Sequence, residues 1–147
     1  MVSSALEGKI DITVCEATLT RDTEAIGKMD PFVQLKTATQ DLKTRVIDGA
    51  GKTPVWNQGG FSIDVKKSTD TLEVSVLDED STTNDLVGSV TIKLAEMAKQ
   101  ETLLDKWYVI KYKNKDAGKI RLKSTWVPKV DKKKQEAEAR AAQAAKE

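Results

Sequence analysis

Val76-Leu77-Asp78-Glu79-Asp80-Ser81-Thr82-Thr83-Asn84-Asp85-Leu86-Val87-Gly88 joins two apolar runs of period two. Leu72, Val74 and Val76 lead into it, and Val90, Ile92 and Leu94 lead out. That alternation is the signature of half-buried strands. Asp78 and Asp80 stand two apart at a strand end, so both point to one side of the chain. Asp85 returns on the far arm, just before the next strand. Three carboxylates converging on one loop is how oxygen ligands for a hard cation such as calcium are gathered. The same residues also suit a plain solvated turn.

Outward from this loop, the chain repeats the pattern. Ile10, Ile12 and Val14 alternate with Asp11, Thr13 and Cys15 over Lys9 to Ala17. Cys15 falls on the face opposite the Ile/Val row and reads as a strand residue without a redox task. A long loop runs to Asp30-Pro31; proline cannot donate to a ladder, so Pro31 belongs at a strand start. Phe32 to Thr37 and Leu42 to Ile47 are the next strands, and Gly49 to Pro54 is a turn. Trp56 opens a strand carrying Phe61, Ile63 and Val65, with Gly59-Gly60 suggesting a bulge. Ala95 to Gln100 suits a short helical turn. Lys106 to Tyr112 and Lys119 to Val127 are two last strands, joined at Asn114 to Gly118. Eight short strands without a long helix predict an all-β fold, an eight-stranded antiparallel β-sandwich. Val14, Val33, Leu35, Trp56, Phe61, Ile63, Val74, Val76, Val90, Ile92, Leu122 and Trp126 supply much of its predicted core.

Composition narrows the chemistry. Of 147 residues, 24 are Lys or Arg and 23 are Asp or Glu, a net charge of +1, so any electrostatic partner must be met by a local patch. No His occurs, which removes Ser-His and Cys-His nucleophile pairs and His-containing zinc sites. No phosphate-cradling Gly loop accompanies the carboxylates, so an enzyme is not expected. Trp56, Trp107 and Trp126 suit packing rather than base stacking, so no nucleic-acid partner is expected. Cys15 is the single cysteine, and the first residues lack the basic and apolar parts of a signal peptide. No run approaches about 18 apolar residues. From composition the expectation is a cytoplasmic protein.

Gly27-Lys28-Met29-Asp30-Pro31-Phe32-Val33, Pro54-Val55-Trp56-Asn57 with Phe61, and the Asp78 to Gly88 loop occur in one order and spacing. Together they resemble a C2 domain, the calcium- and phospholipid-binding module, from about Gly8 to Trp126. The resemblance implies a sandwich whose loops at one end form a calcium cup. By position it carries the metal ligands onto Glu24 and Asp30 in the first loop, with Asp22 the alternative to Glu24, and onto Asp78, Asp80 and Asp85 in the third. The sequence departs from the family in three places. Glu24 stands where an Asp is usual, the gap from Asp80 to Asp85 is one residue short, and Gln58-Gly59-Gly60 replaces a Glu and adds a residue.

The resemblance further implies peripheral docking on an anionic phospholipid membrane. Ile26 and Met29 are candidates for insertion; their alternative is packing inside their own loop. Lys36, Lys43 and Arg45 on the outer strand face lie where related domains bind phosphoinositide head groups; their alternative is solvation and edge protection. The domain is expected over residues 1–128. Residues 129–147 form a charged, Ala-rich tail, helical or disordered, whose composition favours helix but buries nothing of its own. Protein partners met through the sandwich and this tail define the alternative function, a calcium-independent structural or scaffolding C2 protein of a large assembly, cytoskeletal or other.

Overall fold

In the computed structural model the described residues are 7–24, 27–67, 69–80, 82–98 and 103–129. They form strands β1 (Gly8–Leu19), β2 (Pro31–Lys36), β3 (Asp41–Lys43), β4 (Val55–Val65), β5 (Thr71–Glu79), β6 (Asn84–Lys93), β7 (Leu104–Tyr112) and β8 (Lys115–Pro128), with one helical turn, α1 (Leu94–Met97). The hydrogen-bonded order is β3-β2-β5-β6-β7-β8-β1-β4. At β6–β7 the ladder narrows to the single pair Ser89↔Lys111, and there the strands fold over into a sandwich. Of the tail expected over residues 129–147, helical or disordered, only Lys129 lies within the described residues.

Every ladder, β6–β7 and β7–β8 included, joins an odd-numbered strand to an even-numbered one, antiparallel. All odd strands therefore run one way and all even strands the other. Four connections consequently gather at one end: 20–30, 44–54, 80–83 and the Lys113-Asn114 turn. Backbone bonds tie them together. Thr20 N–H donates to the Ala117 carbonyl (2.9 Å), and Leu19 N–H donates to that of Lys52 (2.8 Å).

The inner faces carry the expected core, with Val14, Val33, Leu35, Trp56, Ile63, Val74 and Val76 fully buried. Val90 is only partly buried against that core, while Met29, Leu94, Ile110 and Ile120 join it. In β1 the alternation breaks at Cys15. Val14 pairs with Leu122, but Glu16 pairs with Arg121, so Cys15 is an extra residue. That bulge switches the phase, and the inward residues pass from Ile10, Ile12 and Val14 to Ala17 and Leu19. Cys15 is itself buried, which pushes its thiol pKa up and keeps it protonated. The Gly59-Gly60 bulge is present: Ile12 pairs with Phe61 and Val14 with Gln58.

β3 is shorter than the strand expected over Leu42 to Ile47. Val33 N–H donates to the Thr44 hydroxyl (2.9 Å) instead of a backbone carbonyl. Thr44 N–H still donates to the Val33 carbonyl (2.8 Å), but a side chain has replaced the other half of that rung, so the regular ladder stops at Lys43. The last hairpin is tighter than expected, with Lys113 and Asn114 at φ 50° and 66° forming the turn. Two consecutive left-handed residues give the twist that suits a two-residue hairpin.

Candidate functional site

Asp78 continues the inward row Leu72, Val74, Val76 past the end of the apolar core and is 0% exposed. A buried carboxylate requires partners, and two come from the first loop. Asp30 N–H donates to Oδ1 (2.8 Å) and the Thr23 hydroxyl donates to Oδ2 (2.6 Å). Register explains the first contact. Pro31 and Asp85 both pair with Asp78, so residue 30 arrives beside it on one flank and Asp85 stands on the other.

Asp30 extends the linkage to the second loop, its Oδ1 accepting the Gly49 N–H at 2.7 Å. Its carbonyl accepts the Glu79 N–H at 3.0 Å. Asp80 is exposed at the loop mouth, and its N–H donates to the Thr83 carbonyl (3.1 Å). Glu24 completes the group. Its carboxyl pKa is raised, first by a hydrogen bond shared with Asp78, then by repulsion from Asp78, Asp80 and Asp30. The fold thus brings Glu24, Asp30, Asp78 and Asp80 into one electrostatic neighbourhood, with Asp85 across the ladder. Among the described residues, no three of these carboxylates are already set as a metal-ligating group.

The candidate lipid residues fare unequally. Met29 is 0% exposed and its sulfur accepts the Thr23 N–H at 3.5 Å, so it roots the first loop in the core. The alternative reading, packing inside its own loop, holds in this arrangement. Ile26 lies outside the described residues. Lys36 and Lys43 are exposed on one face of β2 and β3. Their register neighbours on that face include Asp41 and Glu73, which offset them charge for charge. Arg45 lies beyond the end of β3, where its guanidinium donates to the Trp56 carbonyl and its backbone N–H to Gln58 Oε1 (2.9 Å).

Residues 8–110 match the C2 domain family. The chain belongs to that family. This C2 domain is 38% identical over 88 residues to the 16 kDa phloem protein 2 of Arabidopsis thaliana, covering 59% of each chain. It is 27% identical over 128 residues to elicitor-responsive protein 3 of Oryza sativa subsp. japonica, covering 86% of this chain and 88% of that one. Among solved structures, a C2 domain-containing protein aligns with TM-score 0.73 at 29% identity, covering 86% of this chain and 93% of the other. The calcium-bound pair of C2 domains from extended synaptotagmin 2 aligns with TM-score 0.69 at 28% identity; there the match covers 84% of this chain and 46% of that one.

Two residues that hold the C2 loop end together escape sequence reading. Thr23 carries no chemical signature that separates it from other loop threonines, and its role emerges only when Asp78 arrives from 55 positions away. Arg21 lies flat on Tyr112, its guanidinium carbon 3.6 Å from the ring centroid, and donates to the Leu86 carbonyl (3.4 Å). The stack is a cation–π contact that braces the first loop against the last hairpin.

Proposed function

We propose that this C2 domain is a non-catalytic module that takes calcium at its loop end and then docks on anionic phospholipid membranes. The observation that supports it most is the gathering of acidic residues at one end, with Asp30 N–H bonded to Asp78 Oδ1 (2.8 Å), Asp85 opposite Asp78 in the ladder and the Glu24 carboxyl pKa raised by this acidic neighbourhood. Like charges so placed repel unless a cation lies between them. The donors are all hard carboxylate oxygens, the chemistry calcium prefers, so the residue set fits that ion. Glu24, Asp30, Asp78, Asp80 and Asp85 would hold it. Bound calcium supplies positive charge and open coordination positions for lipid phosphate.

The chain's own residues divide the work. The Asp78 and Asp30 carboxylates position the loops by accepting bonds from backbone N–H groups and from the Thr23 hydroxyl, and Asp80 is exposed at the loop mouth. Lys36 and Lys43 add cations to the sheet face, offset there by Asp41 and Glu73, so docking in this proposal is led by the loop end. Arg45 and Ile26 remain secondary members of the lipid-contacting set. The scaffolding alternative rests on residues 129–147, of which only Lys129 is described, and no observation favours it.

Calorimetric calcium titration followed by vesicle sedimentation tests the proposal, with Asp80→Asn/Asp85→Asn as the variant, since Asp78 is also structural. The expected result is calcium binding in the micromolar range or weaker, calcium-dependent sedimentation with phosphatidylserine vesicles, and loss of both in the variant. No heat at millimolar calcium, together with no calcium-dependent sedimentation, would remove it.

A further inference from the structure

The loop end that carries the carboxylates also carries a cluster of cations from a different part of the chain. The β7–β8 hairpin turns at Lys113-Asn114, on the same end as connections 20–30, 44–54 and 80–83, because β7 runs in the same direction as β1, β3 and β5. Lys111, Lys113 and Lys115 are all exposed there. Among the described residues none of these lysines is in an ion pair. Asp116, the register partner of Lys111, offsets that lysine as Asp41 and Glu73 offset Lys36, whereas Lys115 pairs with Tyr112 and Lys113 lies in the turn, so neither has an acidic register partner.

The tip is also joined to the first loop. Arg21 stacks on Tyr112, and its backbone N–H donates to the Ala117 carbonyl (3.3 Å). From Arg21 the chain needs only two more residues to reach Thr23, whose hydroxyl holds Asp78. The cations and the carboxylates are therefore neighbouring parts of one surface, not opposite poles of the molecule. A flat charged partner that meets one meets the other.

We propose that the hairpin tip, through Lys113 and Lys115, is a second membrane contact that holds this C2 domain on an anionic phospholipid bilayer without calcium. It rests on the membrane reading given above. The occupant is a bilayer because its anionic charge complements the exposed lysines, and its extended surface can meet the hairpin and the three loops, which share one end, together. Before calcium binds, the carboxylates repel that surface and the hairpin opposes the repulsion. Afterwards both attract. The hairpin thus sets a basal adsorption on which calcium adds.

The test uses the full chain, with vesicles of phosphatidylcholine containing phosphatidylserine, in EGTA and in calcium, at low and high salt. Lys113→Asn/Lys115→Glu removes the tip charge; asparagine tolerates the left-handed backbone at residue 113 (φ 50°). Lys66→Gln/Lys67→Glu makes the same change of charge on two exposed lysines after β4, at the opposite end. Each basic residue near an anionic surface is worth about fivefold in binding, so the hairpin variant should lose at least about tenfold in EGTA, mostly at low salt. The opposite-end variant should keep its adsorption, and both should melt as wild type does. Equal adsorption of wild type and hairpin variant, or equal losses in the two variants, would overturn the proposal. So would unchanged vesicle binding with a loss confined to a soluble polyanion such as heparin. Calcium-dependent binding that persists alongside such a result leaves the calcium reading standing. A wild type that ignores anionic vesicles in both buffers overturns both.

Discussion

The Thr23 hydroxyl donates to Asp78 Oδ2 at 2.6 Å, across 55 positions of sequence, and so fastens the first loop to the third. Because Asp78 is 0% exposed, water cannot easily replace that donor. Thr23→Val keeps the shape and removes the hydroxyl. The expected loss is about 1–3 kcal/mol of unfolding free energy, the cost of a buried acceptor left unpaired. Denaturant unfolding in calcium-free buffer measures it, and an unchanged midpoint would mean that the bond contributes nothing.

Glu24 shows the opposite balance. Its raised pKa means that the fold binds its proton more tightly than the unfolded chain does. Its favourable contribution is then present below the unfolded pKa and is lost as pH rises through the folded one. In calcium-free buffer at neutral pH, Glu24→Gln should melt higher than wild type. The gap should close or reverse when both are acidified below the ordinary carboxylate range. A lower midpoint at neutral pH would contradict the crowding.

Asp105 titrates with the reverse sign. Arg121 grips it with two bonds, Nε–Oδ1 at 2.9 Å and Nη2–Oδ2 at 2.7 Å, and this holds its pKa below the usual range. The stabilisation is present above the unfolded pKa and is lost as pH falls through the folded one. Asp105→Asn should therefore lower stability modestly at neutral pH and match wild type in strong acid. High salt should shrink the neutral-pH difference, since the pair lies near the surface.

Met29 separates packing from membrane insertion. A fully buried methionine truncated to alanine costs about 2–5 kcal/mol, whereas leucine of similar volume costs less than about 1.5 kcal/mol. Met29→Ala should thus unfold readily, and Met29→Leu should keep both its fold and its vesicle adsorption. A Met29→Ala protein of wild-type stability with lost adsorption would restore Met29 to the membrane-contacting set.

Gly88 marks where the two layers approach closely. A Cβ there would meet Ala117 Cβ at 2.8 Å and Ile110 Cδ1 at 3.2 Å. Gly88→Ala is expected to cost about 1–3 kcal/mol by overpacking, read by thermal unfolding. A neutral effect would show that the β6–β8 contact gives way freely.

Most of this C2 domain's strands are legible in the sequence, because a strand's alternation of period two is written locally in which residues are apolar. Ile10 to Val14, Phe32 to Leu35 and Leu72 to Val76 need no distant partner to reveal their inward face. The Asp-Pro and Asp-x-Asp motifs likewise announce the loop end, since proline and clustered carboxylates restrict what a local segment does. What lay beyond the sequence depends on register. The bulge at Cys15 that turns Ala17 and Leu19 inward is visible only when β8 skips a residue beside it. The end of β3 follows from a threonine hydroxyl taking the place of a carbonyl. Met29 has the character of a loop tip in sequence, which does not tell an apolar residue that roots a loop from one that crowns it. The Thr23–Asp78 bond, the Arg21–Tyr112 stack and the neighbouring acidic loops and basic hairpin all join residues distant along the chain. Local propensity determined the strands; long-range pairing alone decided which loop residues meet, since only register brings their side chains within bonding distance.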